Sequence, residues 1–154
     1  MKKKTFGNGE NQLNVIMIED MNMKVTIVED AIEMWVKYKK DWKVNFVSTD
    51  NPRDAVLQIC SNEFDIWMFD NDLGHPMTGH DVLKAISKRE TFHKPLFVTI
   101  HSCNVVEAPK MKQTCEQMGL RAQQDMMLIS PSRVMSVLNH VSAQKRHTEE
   151  NQNG

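Results

Sequence analysis

Short apolar runs alternate along the chain with segments in which apolar residues recur every three or four positions. The continuous runs at 64–69 and 96–100 are typical of buried parallel strands. The apolar positions within 31–40 follow the spacing of an amphipathic helix. The complete pattern predicts strands at 24–29, 43–48, 64–69, 96–100 and 125–129, and helices at 31–40, from Pro52 onward, and at 79–88, 110–118 and 132–143.

This strict alternation of strands and helices predicts an α/β fold. Five strands, each followed by a helix of about ten residues, favour a doubly wound, five-stranded parallel sheet covered on both faces. In such sheets ligands bind beyond the carboxyl ends of the strands, near the point where the strand order reverses. Candidate chemistry is therefore sought at the residues that follow each strand.

Two similar segments near the amino end leave the start of the sheet open. VIMIED at 15–20 and VTIVED at 25–30 are both apolar runs that end in Glu-Asp. They predict either the two strands of a hairpin or a leader followed by the first strand. We expect residues 1–23 to form a tail or an extra strand, residues 24–146 the domain, and residues 147–154 a disordered tail.

Composition narrows the class of protein. The chain has 154 residues, 40% of them hydrophobic and 25% charged, with a formal net charge of -1. These values indicate one soluble globular domain and do not favour a protein held to nucleic acid by bulk charge. The apolar runs are shorter than the roughly 20 residues of a membrane-spanning helix. Three cysteines without metal-type spacing favour a reducing, cytoplasmic setting.

Carboxylates stand at two predicted strand ends. Glu29 and Asp30 close the first strand, and Asp70 and Asp72 follow the third. Carboxylates gathered in one crevice repel one another, and a hard cation such as Mg²⁺ removes that conflict. We expect Glu29, Asp30 and Asp70 to be metal ligands for Mg²⁺ or Mn²⁺. The alternative is that these residues only cap helices and shape a turn.

Other polar residues near these ends have two interpretations each. His101 closes the fourth strand and is either a general acid or base or a satisfied core residue. Ser102 and Asn104 either bind phosphate oxygens or complete a turn. Thr78, directly before a predicted helix, either helps to bind an anion at the helix amino end or is only a cap.

The order of these residues resembles a response-regulator receiver domain. The resemblance rests on Glu29-Asp30 at the first strand, Asp70 at the third, and Ser102 at the end of the fourth. It implies the receiver (flavodoxin-like) architecture, a Mg²⁺ site at the acidic residues and phosphorylation of the aspartate. Receivers have a lysine followed by a proline at the end of the fifth strand. This chain has Ser130 in place of that lysine.

The departures from that pattern resemble a divergent branch, the cyclic-phosphate processing receiver domains. The motifs are Glu-Asp at 29–30, DNDLG at 70–74, TGHD at 78–81 and HSCN at 101–104, within a likeness that covers about 24–130. The family is expected to have histidine where Asn71 stands and tyrosine where His80 stands. Val105 and Glu107 stand where it tends to have proline and glycine.

The resemblance implies a metal-dependent phosphoesterase-type hydrolase that acts on a cyclic phosphate of RNA or of a nucleotide. Asp70, Asp72 and His101 would then be catalytic, and Thr78, Ser102 and Asn104 would bind phosphate. One alternative is a signalling module in which Asp70 accepts a phosphoryl group. Another is a catalytically silent module that binds a protein partner, such as a phage-like or other viral accessory protein.

Overall fold

A computed structural model of the chain describes residues 1–125 and 129–153, and within those ranges it contains six strands and five helices. The strands are β1 (Lys2–Gly7), β2 (Asn11–Ile18), β3 (Trp42–Thr49), β4 (Ile66–Phe69), β5 (Phe97–Ile100) and β6 (Ala122–Gln124). The helices are α1 (Asn22–Tyr38), α2 (Pro52–Ser61), α3 (Gly79–Ser87), α4 (Glu107–Gln117) and α5 (Pro131–Asn153).

The strands form one sheet in the order β1-β3-β2-β4-β5-β6. All neighbouring pairs are parallel except β1 with β3, which is antiparallel. The five parallel strands follow the 2-1-3-4-5 order of flavodoxin-like sheets, with the reversal at β2 and β4. The predicted α/β architecture is confirmed, including an extra strand at the amino end.

The central strand of the sheet lies in the segment that was predicted as a tail or an extra strand. β2 pairs with β3 on one side and with β4 on the other, so that Ile18 lies opposite both Thr49 and Phe69. A strand with two neighbours and helices on both faces needs a continuous apolar run, and the side chains at 15–18 are fully buried. A domain boundary at residue 24 would cut through helix α1.

The prediction of a strand at 24–29 is wrong, because these residues form the first turns of α1. Val25, Val28, Ile32 and Trp35 are buried in the core, and their spacing of three and four is that of one helix face. Six residues show too little of this period to separate a helix from a short buried strand. The segment 25–30 therefore resembles the segment 15–20 only in its letters.

Two apolar layers lie against the two faces of the sheet. One layer contains buried residues of α1 and α5, including Trp35 and Leu138. The other contains buried residues of α2, α3 and α4, including Ile59 and Leu83. Side chains from successive positions of β2 contribute to opposite layers, as the alternation of a strand requires. The strand ends are thereby held at one edge of a sheet that is packed on both faces.

Local sequence explains two helix starts. Asn51 caps α2 by accepting hydrogen bonds from the amides of Arg53 and Asp54. Thr78 and Asp81 form a reciprocal capping box at the start of α3. The second cap is the TGHD motif, so this motif fixes where α3 begins.

The last part of the chain differs from the prediction. β6 ends at Gln124, and the strand predicted at 125–129 includes residues 126–128, which lie outside the described residues. Helix α5 continues to Asn153 and so includes residues 147–153 of the predicted disordered tail. In the described parts of the chain no helix is long and apolar enough to cross a membrane.

Candidate functional site

Three carboxylates meet where β2 and β4 end. Glu19 and Asp20 follow β2, and Asp70 follows β4, its neighbour in the sheet. One oxygen from each of these residues lies within 4.8 Å of the others. We call Glu19, Asp20 and Asp70 the acidic cluster. It lies at the point of strand reversal, which is where a doubly wound sheet places its ligands.

Glu19 is the most constrained member of the acidic cluster. Its side chain is 0% exposed. Its Oε2 accepts hydrogen bonds from the backbone amides of Asp20 (3.0 Å) and Met21 (3.4 Å). Its Oε1 lies 3.3 Å from Nε2 of His101 but accepts no well-oriented hydrogen bond from the described residues. One carboxylate oxygen is therefore fixed by the backbone, and the other faces His101 and Lys24.

Asp70 is buried beside Glu19 and shares its electrostatic conflict. Its Oδ1 accepts a hydrogen bond from the amide of Asn71 at 2.7 Å. Burial, together with the hydrogen bond and the charge of Glu19, raises the pKa of Asp70 to about 6. Burial also raises the pKa of Glu19. Two buried carboxylates this close do not both ionise readily unless a cation joins them.

His101 lies at the end of β5, beside the same carboxylates. Its side chain is 0% exposed, and among residues 1–125 and 129–153 neither ring nitrogen has a well-oriented hydrogen-bond partner. Burial lowers the pKa of His101 to about 4, although the charge of Asp70 acts in the opposite direction. The imidazole is therefore neutral at neutral pH and retains a free acceptor nitrogen.

Lys24 is a site residue that the sequence prediction omits. Its Nζ lies 3.5 Å from Oε1 of Glu19, and its side chain is 19% exposed. Burial lowers the pKa of Lys24, but the charges of Glu19 and Asp70 outweigh this and raise it. Only the placement of residue 24 on the first turn of α1 brings this cation to the strand ends, since a strand at 24–29 would have carried it elsewhere.

The structure separates Glu29 and Asp30 from the acidic cluster, so their prediction as metal ligands is corrected. Both residues lie on α1, and Glu29 forms an ion pair with Lys4 of β1. Asp30 is exposed. The Glu-Asp pair that follows a central strand is Glu19-Asp20. The continuous apolar run before it, which has no helical spacing, was the signal that could have identified it.

The remaining predicted residues make local hydrogen bonds. Asp72 is exposed and accepts a hydrogen bond from the side-chain amide of Asn71 at 3.3 Å. Ser102 is buried, and its hydroxyl accepts from the amide of Asn104 at 3.1 Å. Asn104 in turn accepts from the amides of Val106 and Glu107 at the start of α4. These bonds shape the loop after β5 and leave the hydroxyl proton of Ser102 available for donation.

His80 is buried between α3 and α4. Its Nδ1 lies 2.9 Å from Glu107, and its Nε2 lies 2.9 Å from the hydroxyl of Thr114. Both ring nitrogens are therefore used within the fold. Because the tyrosine expected at this position would contribute one polar atom, His80 ties the two helices together with an additional hydrogen bond.

The acidic cluster fits a divalent cation. It offers oxygen donors from three side chains, which are the ligands that Mg²⁺ and Mn²⁺ prefer. Oε1 of Glu19 is buried and, within the described part of the chain, has Nζ of Lys24 at 3.5 Å but no well-oriented hydrogen bond, so a bound cation could still take it as a ligand. Three protein ligands would leave further coordination positions for a substrate.

The comparison with protein families identifies the chain. The model of the cyclic-phosphate processing receiver domain matches residues 19–117. The match begins at Glu19 and includes Asp70 and His101. A fold of receiver type with an acidic cluster at its strand reversal thus defines the class of protein, and the chain belongs to the cyclic-phosphate processing receiver family.

Solved structures show the same fold at low sequence identity. A signal receiver domain from Vibrio parahaemolyticus has a TM-score of 0.60 at 20% identity, covering 93% of this chain and 98% of its own. The Vibrio cholerae chemotaxis protein CheY4 has a TM-score of 0.56 at 17% identity, covering 84% and 98%. A phosphorylated cyanobacterial phytochrome response regulator, RcpA, has a TM-score of 0.58 at 14% identity, covering 84% and 91%. No curated protein sequence matches the chain.

Proposed function

We propose that this protein is a metal-dependent phosphoesterase that hydrolyses a cyclic phosphate of RNA or of a nucleotide. The observation that carries the proposal is the contact between Glu19 and His101, both fully buried, beside Asp70. The three carboxylates of the acidic cluster would supply a metal site, and the neutral imidazole of His101 would supply a group for proton transfer. A module that only accepts a phosphoryl group has no need for the imidazole.

Glu19, Asp20 and Asp70 would hold Mg²⁺ or Mn²⁺. Such a cation would offset the effects of burial and of the neighbouring Glu19, which together raise the pKa of Asp70. A response regulator that is structurally similar, with a TM-score of 0.52 at 14% identity, is described in an Mn²⁺-bound form, which supports a divalent metal as a ligand of this chain. When bound, the cation supplies positive charge to the phosphoryl oxygens and to the attacking water.

His101 would transfer protons during the reaction, and Lys24 would stabilise negative charge on the phosphate. Because the imidazole of His101 is neutral, it accepts the proton of the water that attacks phosphorus. The bond from phosphorus to one ring oxygen then breaks, and the imidazolium returns its proton to that sugar oxygen. The product is a phosphomonoester. Lys24, already 3.5 Å from Glu19, places positive charge beside the phosphate group.

Four further residues keep their predicted roles as part of the proposal. Asp72 is exposed next to Asn71, where it would orient the attacking water. Ser102 would donate its hydroxyl proton to a phosphate oxygen. Thr78 caps α3 and would help to bind phosphate at the amino end of that helix. Asn104 would help to bind phosphate from the loop before α4, where it accepts a hydrogen bond from the amide of Glu107.

The test is hydrolysis of a panel of 2′,3′-cyclic nucleotides and of RNA with a cyclic-phosphate end, with Mg²⁺, Mn²⁺ or chelator. We expect metal-dependent turnover that falls about 100-fold or more in Asp70→Asn and in His101→Gln. Asp30→Asn is the matched control, because it removes a carboxylate that lies outside the acidic cluster. It should leave turnover unchanged. If the metal binds but every substrate remains intact, the proposal is wrong.

Phosphorylation of Asp70 is a second candidate function, because Asp70 ends the third parallel strand of a receiver fold. One of the structurally similar proteins is a response regulator described in its phosphorylated state. Acetyl phosphate with Mg²⁺ should then increase the intact mass of the protein by one phosphoryl group, and Asp70→Asn should prevent this. An unchanged mass in the wild-type protein would exclude this candidate.

A further inference from the structure

We propose that strand β1 adds a subsite for a second phosphate group to the acidic cluster. Lys2 would bind the 5′-phosphate of the nucleotide whose cyclic phosphate is hydrolysed. The inference rests on the proposed function and specifies its substrate. RNA ends and 5′-phosphorylated nucleotides would bind better than cyclic nucleoside phosphates that lack a 5′-phosphate.

The direction of β1 places its amino end close to the ends of the parallel strands. β1 runs antiparallel to β3, with Lys2 opposite Ser48 near the carboxyl end of β3. The amino end of β1 therefore lies at the edge of the sheet where the parallel strands end. The extra strand thus places the side chain of Lys2 at this edge, on the outer side of β3.

A cleft of about 140 Å³ connects Lys2 with the acidic cluster. Its polar lining includes Lys2, Glu19, Asp20, Asn22, Ser48 and Asp50. Pockets that enclose a whole small molecule usually exceed about 300 Å³. The cleft is therefore suited to one part of a ligand whose other part lies over the carboxylates. Two members of the acidic cluster, Glu19 and Asp20, form one wall of the cleft.

The charges of the cleft define where a phosphate group would lie. Lys2 is exposed and donates from its ammonium group, and the hydroxyl of Ser48 lies on the neighbouring strand. Asp50 also lines the cleft and would repel an anion. A phosphate would therefore lie on the side of Lys2 and Ser48. A metal at the cluster would offset the negative charge of Glu19 and Asp20.

The residue next to Lys2 provides a matched control. Successive side chains of a strand point to opposite faces, and Lys3 lines a different cavity together with Asn45 and Gln58. Both lysines are exposed. Lys2→Gln and Lys3→Gln therefore remove the same charge from adjacent positions, and neither change is expected to affect folding.

The experiment is calorimetric binding of uridine 2′,3′-cyclic phosphate, with and without a 5′-phosphate, in the presence of Mg²⁺. In the wild-type protein the 5′-phosphate should strengthen binding about two- to fivefold, the range of an exposed ion pair. Lys2→Gln should abolish this difference, Lys3→Gln should preserve it, and Asp50→Asn should increase it. Turnover of both ligands is measured in parallel.

The outcomes separate this inference from the proposed function. Equal affinities for the two ligands, or an equal effect of the two lysine changes, overturn the subsite even when turnover is observed. A 5′-phosphate preference that depends on Lys2, in a protein that hydrolyses neither ligand, supports the subsite and contradicts the hydrolase. If neither ligand binds, the subsite is also overturned.

Discussion

The two Glu-Asp segments of this protein have nearly the same pattern and opposite roles. Residues 15–18 form the end of the central strand, and Glu19, which follows it, lies beside Asp70 and His101. Residues 25–30 form part of helix α1 and place Glu29 beside Lys4 at the edge of the sheet. Glu19 is fully buried and pairs with the mostly buried Lys24, but among the described residues its Oε1 has no well-oriented hydrogen bond, whereas Glu29 pairs with the more exposed Lys4.

This difference shows that an acidic pair acquires its chemistry from the strand that precedes it. The backbone of Glu19 continues the ladder of β2, with its amide bonded to the carbonyl of Thr49. Its side chain therefore enters the space between three strand ends. The turn of α1 instead directs Glu29 toward β1. Two buried carboxylates that share one lysine are costly, so such a cluster is more informative about function than a partly exposed ion pair between one carboxylate and one lysine.

The largest expected effect is on metal binding. Glu19→Gln removes one charge from the acidic cluster, and we expect it to weaken Mn²⁺ binding about 100-fold. Glu29→Gln makes the same chemical change ten positions later and should leave the affinity within about twofold. Titration calorimetry or the electron paramagnetic resonance of free Mn²⁺ measures both. Equal losses in the two variants would contradict the assignment of the site to Glu19.

The second effect concerns the packing that holds Asp70. A Cβ atom on Gly79 would lie 1.9 Å from the carbonyl oxygen of Asp70, so alanine cannot fit without a shift of the backbone. We expect Gly79→Ala to lower the free energy of unfolding by about 2 kcal/mol and to weaken metal binding as well. Urea denaturation measures the first quantity. Normal stability together with normal metal affinity would show that α3 does not position the strand end.

The third effect is the pH dependence of stability without metal. The pKa of Asp70 is raised from 3.8 to about 6 by burial, so the folded protein holds this proton more tightly than the unfolded chain. The resulting stabilisation is complete below about pH 4 and is lost as the pH rises through about 6. Asp70→Asn removes this dependence. Relative to the wild-type protein, the variant should gain about 1–2 kcal/mol between about pH 4 and about pH 7.

Denaturation in chelator across that range tests this expectation, with Asp30→Asn as the control on the exposed side of α1. The control should run parallel to the wild-type protein. If the stability of Asp70→Asn has the same pH dependence as that of the wild-type protein, the carboxyl group of Asp70 is already paired in the folded state. That result would remove the main electrostatic argument for a cation.

The smallest effect belongs to the ion pair at the second Glu-Asp segment. Lys4→Gln removes the partner of Glu29, and because Lys4 is mostly exposed we expect only a small decrease in Tm that salt reduces further. Metal affinity and turnover should not change. A large loss of metal affinity in Lys4→Gln would show that the ion pair at Glu29 affects the acidic cluster. It would contradict the separate roles assigned to the two Glu-Asp segments.

Several features were predictable from local sequence alone. The buried strands at 66–69 and 97–100, the capping box at Thr78 and the candidate roles of Asp70 and His101 follow from apolar runs, from caps and from the motifs of the family. They depend on neighbours within a few positions. The alternation of strands and helices likewise determined the class of fold.

The tertiary structure decided which Glu-Asp segment enters the sheet and which cations reach the strand ends. β2 is a strand because it has a neighbour on each side, and these pairing energies come from residues far away in sequence. Lys24 and Lys2 reach the edge of the acidic cluster only because α1 begins at Asn22 and β1 runs antiparallel. The spacing of apolar residues in a short segment reflects its local backbone geometry. Which strands pair in the sheet depends instead on packing between residues that are far apart in the sequence.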